Sequence, residues 1–266
     1  MTGLVIRLNA RQPDVLADFF VQALGFERAA PSGGGVALTL GPSRLQIAGC
    51  DGQAYPALVP GWSTLFQHFA ITTTDMPAAI ARLERTQRWT PISYGGPQQL
   101  PASSGGVTAF KFSDPEGHPL ELIAFPDAPT DAPRRIDHSA ISVADTATSV
   151  AFYQSLGLIV GSRSLNRGPE QDRLDGLDEV EVEVTALEHP AGGSHVELLC
   201  YRGDHPRPTG PAALDDVAAT RLAWLASTDL DSLSKAVDAH VVNFDRPRGM
   251  LLIRDPDGHI LQLTAG

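Results

Sequence analysis

The chain has 266 residues, in which 20 Lys and Arg stand against 31 Asp and Glu, for a formal net charge of −11. Hydrophobic residues make up 42% and charged residues 19%, which is typical of a globular protein and unlike a disordered chain. The excess of acidic residues, and the lack of any cluster of basic residues, argue against binding to the phosphate backbone of a nucleic acid. We therefore expect no nucleic-acid partner.

Cysteine content and hydropathy indicate the compartment. The sequence has two cysteines, Cys50 and Cys200, which are too few for a disulfide scaffold and form no CxxC pair. No apolar run approaches the length of a membrane span, and the first residues lack the form of a signal peptide. We expect a cytoplasmic protein without a membrane partner, present as a monomer or a homodimer.

Four segments of the sequence share a short alternating strand followed by helical spacing. They read VIRLNARQPDVLADFF from Val5, HFAITTTDMPAAIARL from His68, HSAISVADTATSVAFY from His138 and LAWLASTDLDSLSKAV from Leu222. In the last three segments an aspartate follows seven residues after the start, at Asp75, Asp145 and Asp229. Aspartate at this point predicts an N-cap, because its side-chain oxygen accepts from the free amides of a first helical turn.

Each segment also leads to a second matching strand. These strands read RLQIAGC around Gln46, PLELIAF around Glu121, HVELLCY around Glu197 and ILQLTAG around Gln262. The β-rich stretches in between make each unit a strand, a helix and about three strands, and GGG at Gly33–Gly35 predicts a hairpin turn. A Pro- and Asp-rich linker at residues 127–135 is expected to separate a domain at 1–126 from a domain at 136–266, with two units in each.

The second and third units differ from the others at their opening and closing positions. They carry a His and a Glu each, namely His68 with Glu121 and His138 with Glu197. The first and fourth units have Val5, Gln46, Leu222 and Gln262 there, which we interpret as structural. Taken singly, the histidines could be core residues satisfied by hydrogen bonds. A buried, unpaired carboxylate is costly, however, and a divalent cation bound by two imidazoles and two carboxylates removes that cost.

These segments, together with FFVQALGF, IDHSAISVADTATSVAFYQSLGL and DPEGHPLEL, resemble the vicinal-oxygen-chelate superfamily over essentially the whole chain. That superfamily includes glyoxalase I, extradiol dioxygenases, methylmalonyl-CoA epimerase and bleomycin-resistance proteins. The resemblance implies an α+β fold of four βαβββ modules, which form two curved, partly closed β-barrel cups with helices outside. It also implies metal ligands on the first and last strand of a module.

Which modules share a cup decides how the ligands combine. If neighbouring modules pair, as in extradiol dioxygenases, each cup holds one His and one Glu. If the second module pairs with the third, as the resemblance to glyoxalase I implies, one cup collects all four residues and the other is empty. Ligand number favours this crossed pairing, with one ion of Fe, Ni, Co, Mn or Zn held by His68, Glu121, His138 and Glu197.

The resemblance implies a metal-dependent lyase or isomerase that moves a proton next to a metal-bound carbonyl, with Glu121 or Glu197 as the catalytic group. Glu121 is the favoured base, because it matches the catalytic Glu of the second unit of glyoxalase I. Ser142 and Tyr201 stand where that enzyme has its glutathione-binding Arg and Asn, so we expect a different small substrate. The alternatives are an Fe(II)- or Mn(II)-dependent ring-cleaving dioxygenase and a metal-free binding protein.

Further candidates flank the predicted ligands. His195 lies two residues before Glu197 on the same strand face and could replace or assist a ligand. The polar segment at residues 166–176 is either a lid over the cup or a solvated loop. We expect the substrate-binding side chains to include Asn166, Gln171 and Tyr201.

Overall fold

A computed structural model of the chain describes residues 4–30, 35–206 and 211–265. Two of the three glycines predicted to form a hairpin turn, at positions 33 and 34, lie outside these described residues. None of the helices in the described ranges is long and apolar enough to cross a lipid bilayer.

The order of strand, helix and at least three further strands recurs four times in the described chain, with an extra helix in the third module, which confirms the predicted α+β class. The first module comprises β1 (Val5–Ala10), α1 (Pro13–Leu24), β2 (Glu27–Ala29), β3 (Val36–Leu40) and β4 (Ser43–Gly49). The second comprises β5 (Gln67–Thr72), α2 (Met76–Thr86), β6 (Thr90–Pro91), β7 (Gln98–Gln99), β8 (Thr108–Ser113) and β9 (Pro119–Ala124). The third comprises β10 (Ile136–Ser142), α3 (Thr146–Ser155), β11 (Ile159–Arg167), α4 (Pro169–Asp175), β12 (Glu181–Glu188) and β13 (His195–Tyr201). The fourth comprises β14 (Arg221–Leu225), α5 (Leu230–Ala236), β15 (Val241–Asp245), β16 (Met250–Arg254) and β17 (Ile260–Thr264). Short 3₁₀ turns lie at Ala102–Ser104 and Asp238–His240.

The predicted aspartate caps are confirmed at three helices. Asp75 accepts a hydrogen bond from the amide of Ala78 at 2.9 Å at the start of α2. Asp145 and Asp229 do the same for α3 and α5, at 2.7 and 2.8 Å. Each cap satisfies an amide that has no partner within the helix and so stabilises the first helical turn. The first helix begins instead with Pro13, whose fixed φ suits the first helical position.

The modules pair in crossed order. An eight-stranded sheet, β15-β16-β17-β14-β1-β4-β3-β2, joins the first module to the fourth through antiparallel β1 and β14. The other sheet, β11-β12-β13-β10-β5-β9-β8-β6 with β7 beside β8, joins the second to the third through antiparallel β5 and β10. Both sheets are open strand paths, so they are less closed than the predicted β-barrel cups.

A hydrophobic core spans both sheets and the helices between them. It includes Leu8 and Ile47 of the eight-stranded sheet and Phe69 of the other sheet. Phe20 on α1 stacks on Phe69 with ring centroids 6.1 Å apart. Because side chains alternate along a strand, residues next to these core positions lie on the opposite sheet faces, which are free to carry polar groups.

One predicted module position is wrong by a residue. In the fourth module Ala223 pairs with Gln262, as Ala140 pairs with Glu197 in the third. The residue two before Ala223 is Arg221, which is therefore the counterpart of His138; Leu222 lies fully buried in the core. The spacing from Asp229 misled the prediction because this module has one more residue between strand and helix.

Candidate metal centre

Four neighbouring strands bring the predicted metal ligands to one face of the nine-stranded sheet. His68 on β5 lies 2.8 Å from Glu121 on β9, measured from Nε2 to Oε2. His138 Nε2 on β10 lies 4.0 Å from the same Glu121 oxygen and 3.6 Å from Glu197 Oε2 on β13. His68, Glu121 and His138 are nearly fully buried, and Glu197 is partly exposed. The crossed pairing of modules is what brings both His–Glu pairs together.

The spacing and chemistry of these donors fit a divalent ion. Two atoms that each bind an ion at 2.0–2.2 Å lie at most about 4.4 Å apart, and the three measured separations fall below that value. His68, Glu121 and His138 offer ligand atoms that all lie within 4.8 Å of one another. The buried His68 Nδ1 has no hydrogen-bond partner, so its ring is held by contacts at Nε2. These residues can hold a metal ion, whose identity the donor set leaves open between several transition metals.

Asp137 orients one of the imidazoles. Its carboxylate lies 3.2 Å from His138 Nδ1, which leaves His138 Nε2 facing the two glutamates. A carboxylate on the outer nitrogen of a metal-binding His fixes the ring and increases its basicity. In a regular strand Asp137 and His138 would lie on opposite faces, but the register of β10 shifts between Ile136 and Ser139. This β-bulge places both side chains at the same cavity.

His195 also lies at the site. Its Nε2 is 3.3 Å from Glu197 Oε1, and its ring centroid is 5.3 Å from that of His138. Asp137, His138 and His195 form a second group whose ligand atoms lie within 4.8 Å of one another. His195 is therefore placed to hold Glu197 in position or to serve as a ligand itself.

Burial and charge act in opposite directions on the titrating groups. Burial raises the pKa of Glu121, but the hydrogen bond from His68 and the nearby charge of Lys111 lower it by more, so that the net pKa is about 2. Burial and Lys111 together lower the pKa of the His68 imidazole. Burial also lowers the pKa of His138, but the facing Glu197 and the bond to Asp137 raise it to about 9. Glu121 is thus an anion at neutral pH, facing one neutral and one cationic imidazole. A metal ion bound at His138 would replace the proton on Nε2.

A buried ion pair lies next to this group. Lys111 on β8 is directly opposite Glu121 in the β8–β9 pair, and its Nζ donates to Asp175 Oδ1 at 2.7 Å. Asp175 ends α4, and its other oxygen accepts from Gln171 at 2.8 Å and from the Tyr201 hydroxyl at 3.0 Å. Burial lowers the pKa of Lys111, but Asp175 and Glu121 raise it on balance. The pair ties α4 to the sheet beside the ligands.

A cavity of about 420 Å³ opens above the four residues. The residues proposed from sequence to bind substrate, Asn166, Gln171 and Tyr201, all line it. Gln171 is buried on α4, and Ser164 donates to Asn166 Oδ1 at 2.9 Å. Of the two alternatives for residues 166–176, the structure favours a cover over the site, because α4 buries Gln171, Leu174 and Asp175 against the sheet.

Lys111, Asp137 and Asp175 are the site residues that sequence reasoning missed. Lys111 could have been found from the alternation on β8 once β8 was paired with β9, because cross-strand neighbours share a face. The position of Asp137 at the site depends on the β-bulge in β10, and that of Asp175 depends on how α4 packs against the sheet. Neither feature has a signal in the repeat pattern.

Comparison with known proteins agrees with this α+β fold. The family model of the Glyoxalase/Bleomycin resistance protein/Dioxygenase superfamily matches residues 135–263. No curated protein sequence matches the chain significantly.

Solved structures extend the likeness to the whole fold. Glyoxalase I from Zea mays is similar with a TM-score of 0.62 and 15% identity, over 100% of this chain and 92% of that one. A mutant of the same enzyme has a TM-score of 0.67 and 16% identity, over 99% of this chain and 92% of that one. A putative dioxygenase from Bacillus subtilis has a TM-score of 0.58 and 14% identity, over 99% of this chain and 85% of that one. The predicted family resemblance is thus confirmed: residues 135–263 match the superfamily in sequence, and the whole chain has the two-sheet fold of glyoxalase I.

Proposed function

We propose that the protein is a metal-dependent enzyme that transfers a proton on the carbon next to a carbonyl of a small substrate. The observation that supports this most is the convergence of two imidazoles and two carboxylates below one cavity. We assign His68, Glu121, His138 and Glu197 as the residues that would hold one divalent ion of Fe, Ni, Co, Mn or Zn. Such an ion supplies Lewis acidity that polarises substrate oxygens.

Glu121 is the proposed base, with Glu197 as the second carboxylate. Glu121 is ionised at neutral pH and lines the cavity, so a substrate proton can reach its carboxylate. Its low pKa makes it a weak base, so the positive charge around the substrate has to acidify the proton that Glu121 removes. Its 2.8 Å bond to His68 holds the carboxylate in one orientation, and Lys111 faces it from the next strand. Lys111 also places positive charge near any negative charge that develops on the substrate, which favours proton loss from carbon.

The cover over the site limits the substrate to a small molecule. A cavity of about 420 Å³ lies at the small end of the usual range for ligand pockets, about 300–1,000 Å³. Asn166, Gln171 and Tyr201 are the side chains proposed to bind the substrate, and Tyr201 is held by Asp175.

We also propose a cytoplasmic protein, active as a monomer or homodimer, whose chain divides into 1–126 and 136–266 around a linker at 127–135.

Hydrogen exchange in D₂O tests the proposed base. The metal-loaded protein should exchange the proton next to the carbonyl of substrates from a panel of small 2-oxoaldehyde adducts and 2-hydroxy ketones, followed by proton NMR. We expect Glu121→Gln to lose at least about 100-fold of the rate, as removal of a general base does, while it keeps part of its metal. Glu84→Gln, an exposed glutamate on α2, is the matched control and should keep the wild-type rate. Full activity of Glu121→Gln would contradict the role of this residue.

The second candidate is a ring-cleaving dioxygenase. It is favoured by the group of His68, His138 and Glu121, because two histidines and one carboxylate are the usual ligands of oxygen-activating Fe(II). Oxygen consumption by the Fe(II)-loaded protein with a catechol would select this activity over proton transfer. A third candidate, a metal-free small-molecule binding protein, predicts that no divalent ion is retained after purification.

A further inference from the structure

The eight-stranded sheet carries opposite charge at the positions that correspond to the metal centre. By strand register, the counterparts of the two histidines are Val5 and Arg221, and those of the two glutamates are Gln46 and Gln262. A second arginine, Arg7, lies on the same face of β1 as Val5. The two carboxylates are thus replaced here by amides, one imidazole by a guanidinium group and the other by a valine, with the guanidinium group of Arg7 beside them.

The two arginines lie directly opposite each other. Arg7 on β1 pairs with Arg221 on β14 in an antiparallel ladder, where facing Cβ atoms are about 5 Å apart. Like charges in this arrangement are destabilising. Burial and the charge of Arg221 lower the pKa of Arg7, and burial lowers the pKa of Arg221. In a chain with a net charge of −11, such a pair without an acidic neighbour calls for a physical reason.

The protein satisfies these two guanidinium groups incompletely. Arg7 Nη1 donates to Gln262 Oε1 at 2.7 Å, and Arg221 Nη2 donates to the carbonyl of Leu214 at 2.9 Å. Both acceptors are neutral. The Nε atoms of both arginines are buried without a hydrogen-bond partner. Among the described residues, no carboxylate forms an ion pair with either arginine within 4.0 Å.

We propose that Arg7 and Arg221 form an oxyanion-binding site, which takes the carboxylate or phosphate group of a small molecule. A buried donor of a charged group is destabilising when it has no partner, and an oxyanion bound between the two guanidinium groups removes this penalty at both side chains. The planar guanidinium fork matches the paired oxygens of carboxylate and phosphate. Both arginines are partly exposed, so an ion from solvent can reach them. This site lies on the other sheet and does not depend on the metal centre.

Titration calorimetry with inorganic phosphate and with succinate tests the proposal, with sodium chloride of equal ionic strength as reference. The protein is first dialysed free of divalent metal, so the outcome is independent of the proposed enzyme activity. We expect saturable binding of one or both anions, and which one binds identifies the group preferred. Arg7→Gln and Arg221→Gln should each weaken it about tenfold or more, as the loss of a charged hydrogen bond does. Arg88→Gln, at an exposed arginine, should bind as the wild type does.

A second measurement needs no variant. Phenylglyoxal modifies free guanidinium groups, and peptide mass spectrometry reads the extent at each arginine. Phosphate or succinate should protect Arg7 and Arg221 in the wild-type protein and leave Arg88 unprotected. Absence of binding by both anions, wild-type affinity in both variants, or equal modification with and without anion would overturn the proposal. Arg221 would then serve only to hold the segment around Leu214, and Arg7 only to hold Gln262.

Discussion

His118 and His68 are both buried, but their hydrogen bonds differ. His118 lies 2.8 Å from Asp114 at Nδ1 and 3.2 Å from the carbonyl of Val217 at Nε2, so both nitrogens have acceptors. His68 has a partner at one nitrogen alone. A histidine with two acceptors is stabilised as a cation and needs nothing further, whereas His68 lies in a group suited to a metal.

We expect the stability contributed by His118 to fall as pH rises. Burial lowers the pKa of His118, but Asp114 raises it above the unfolded value of about 6.5 on balance. The stabilisation is therefore fully present below about pH 6.5 and is lost as pH rises through the folded pKa. Denaturant unfolding of His118→Gln should show a loss of about 1–3 kcal/mol near pH 6 that becomes smaller in alkaline buffer. A loss that grows with pH would contradict this account; His205→Gln, at a less buried histidine, is the control.

At the scale of elements, α4 is the addition that distinguishes the third module. It lies between β11 and β12, and it is tied to the sheet by the Lys111–Asp175 pair at 2.7 Å. Both side chains are almost fully buried, so neither charge can be satisfied by water if the other is removed. The position of α4, and with it the cavity wall, depends on this contact.

A double-mutant cycle on this pair tests the attachment of α4. We expect Lys111→Met to lower the free energy of unfolding by about 3–5 kcal/mol, because Asp175 is left as a buried, unpaired charge. Adding Asp175→Leu should restore most of that loss. Glu170→Gln, at a partly exposed glutamate on α4, is the control. Additive losses in urea unfolding would show that the two charges are not coupled.

The repeat pattern predicts the modules well and their additions poorly. Alternation and aspartate spacing locate β5, α2, β10 and α3, because each rests on local residue preferences. The bulge near Asp137 and the extra residue before α5 change which side chains share a face, and they leave no local signal. For this reason Asp137 and Arg221 became visible with the strand register, while the two His–Glu pairs were readable from the sequence.

At the scale of the whole molecule, each sheet needs both halves of the chain. Strand β1 pairs with β14, and β5 pairs with β10, so strands from residues 1–126 lie in the middle of sheets completed by residues 136–266. A half alone would expose these two strands as open edges, with unpaired backbone groups and uncovered apolar side chains.

We therefore expect fragments 1–126 and 136–266 to be unfolded or aggregated when produced separately, and to form a folded 1:1 complex when produced together. Circular dichroism and size-exclusion chromatography with light scattering distinguish these states. Two fragments that each fold as monomers would contradict a structure in which the sheets are shared between the halves.

The asymmetry between the two sheets leads to the central claim, a single metal centre per chain. One sheet presents His68, Glu121, His138 and Glu197, and the other presents one valine, one arginine and two glutamines at the corresponding positions. The number of metal ions bound per chain is measured directly by elemental mass spectrometry, after the protein is loaded with Zn, Mn, Co, Ni or Fe(II) and desalted. We expect about one equivalent of metal in the wild-type protein, the same in Arg221→Gln, and almost none in a His68→Ala/Glu121→Ala double variant. Two equivalents in the wild type, none with any of these metals, or full retention by the double variant would contradict the account.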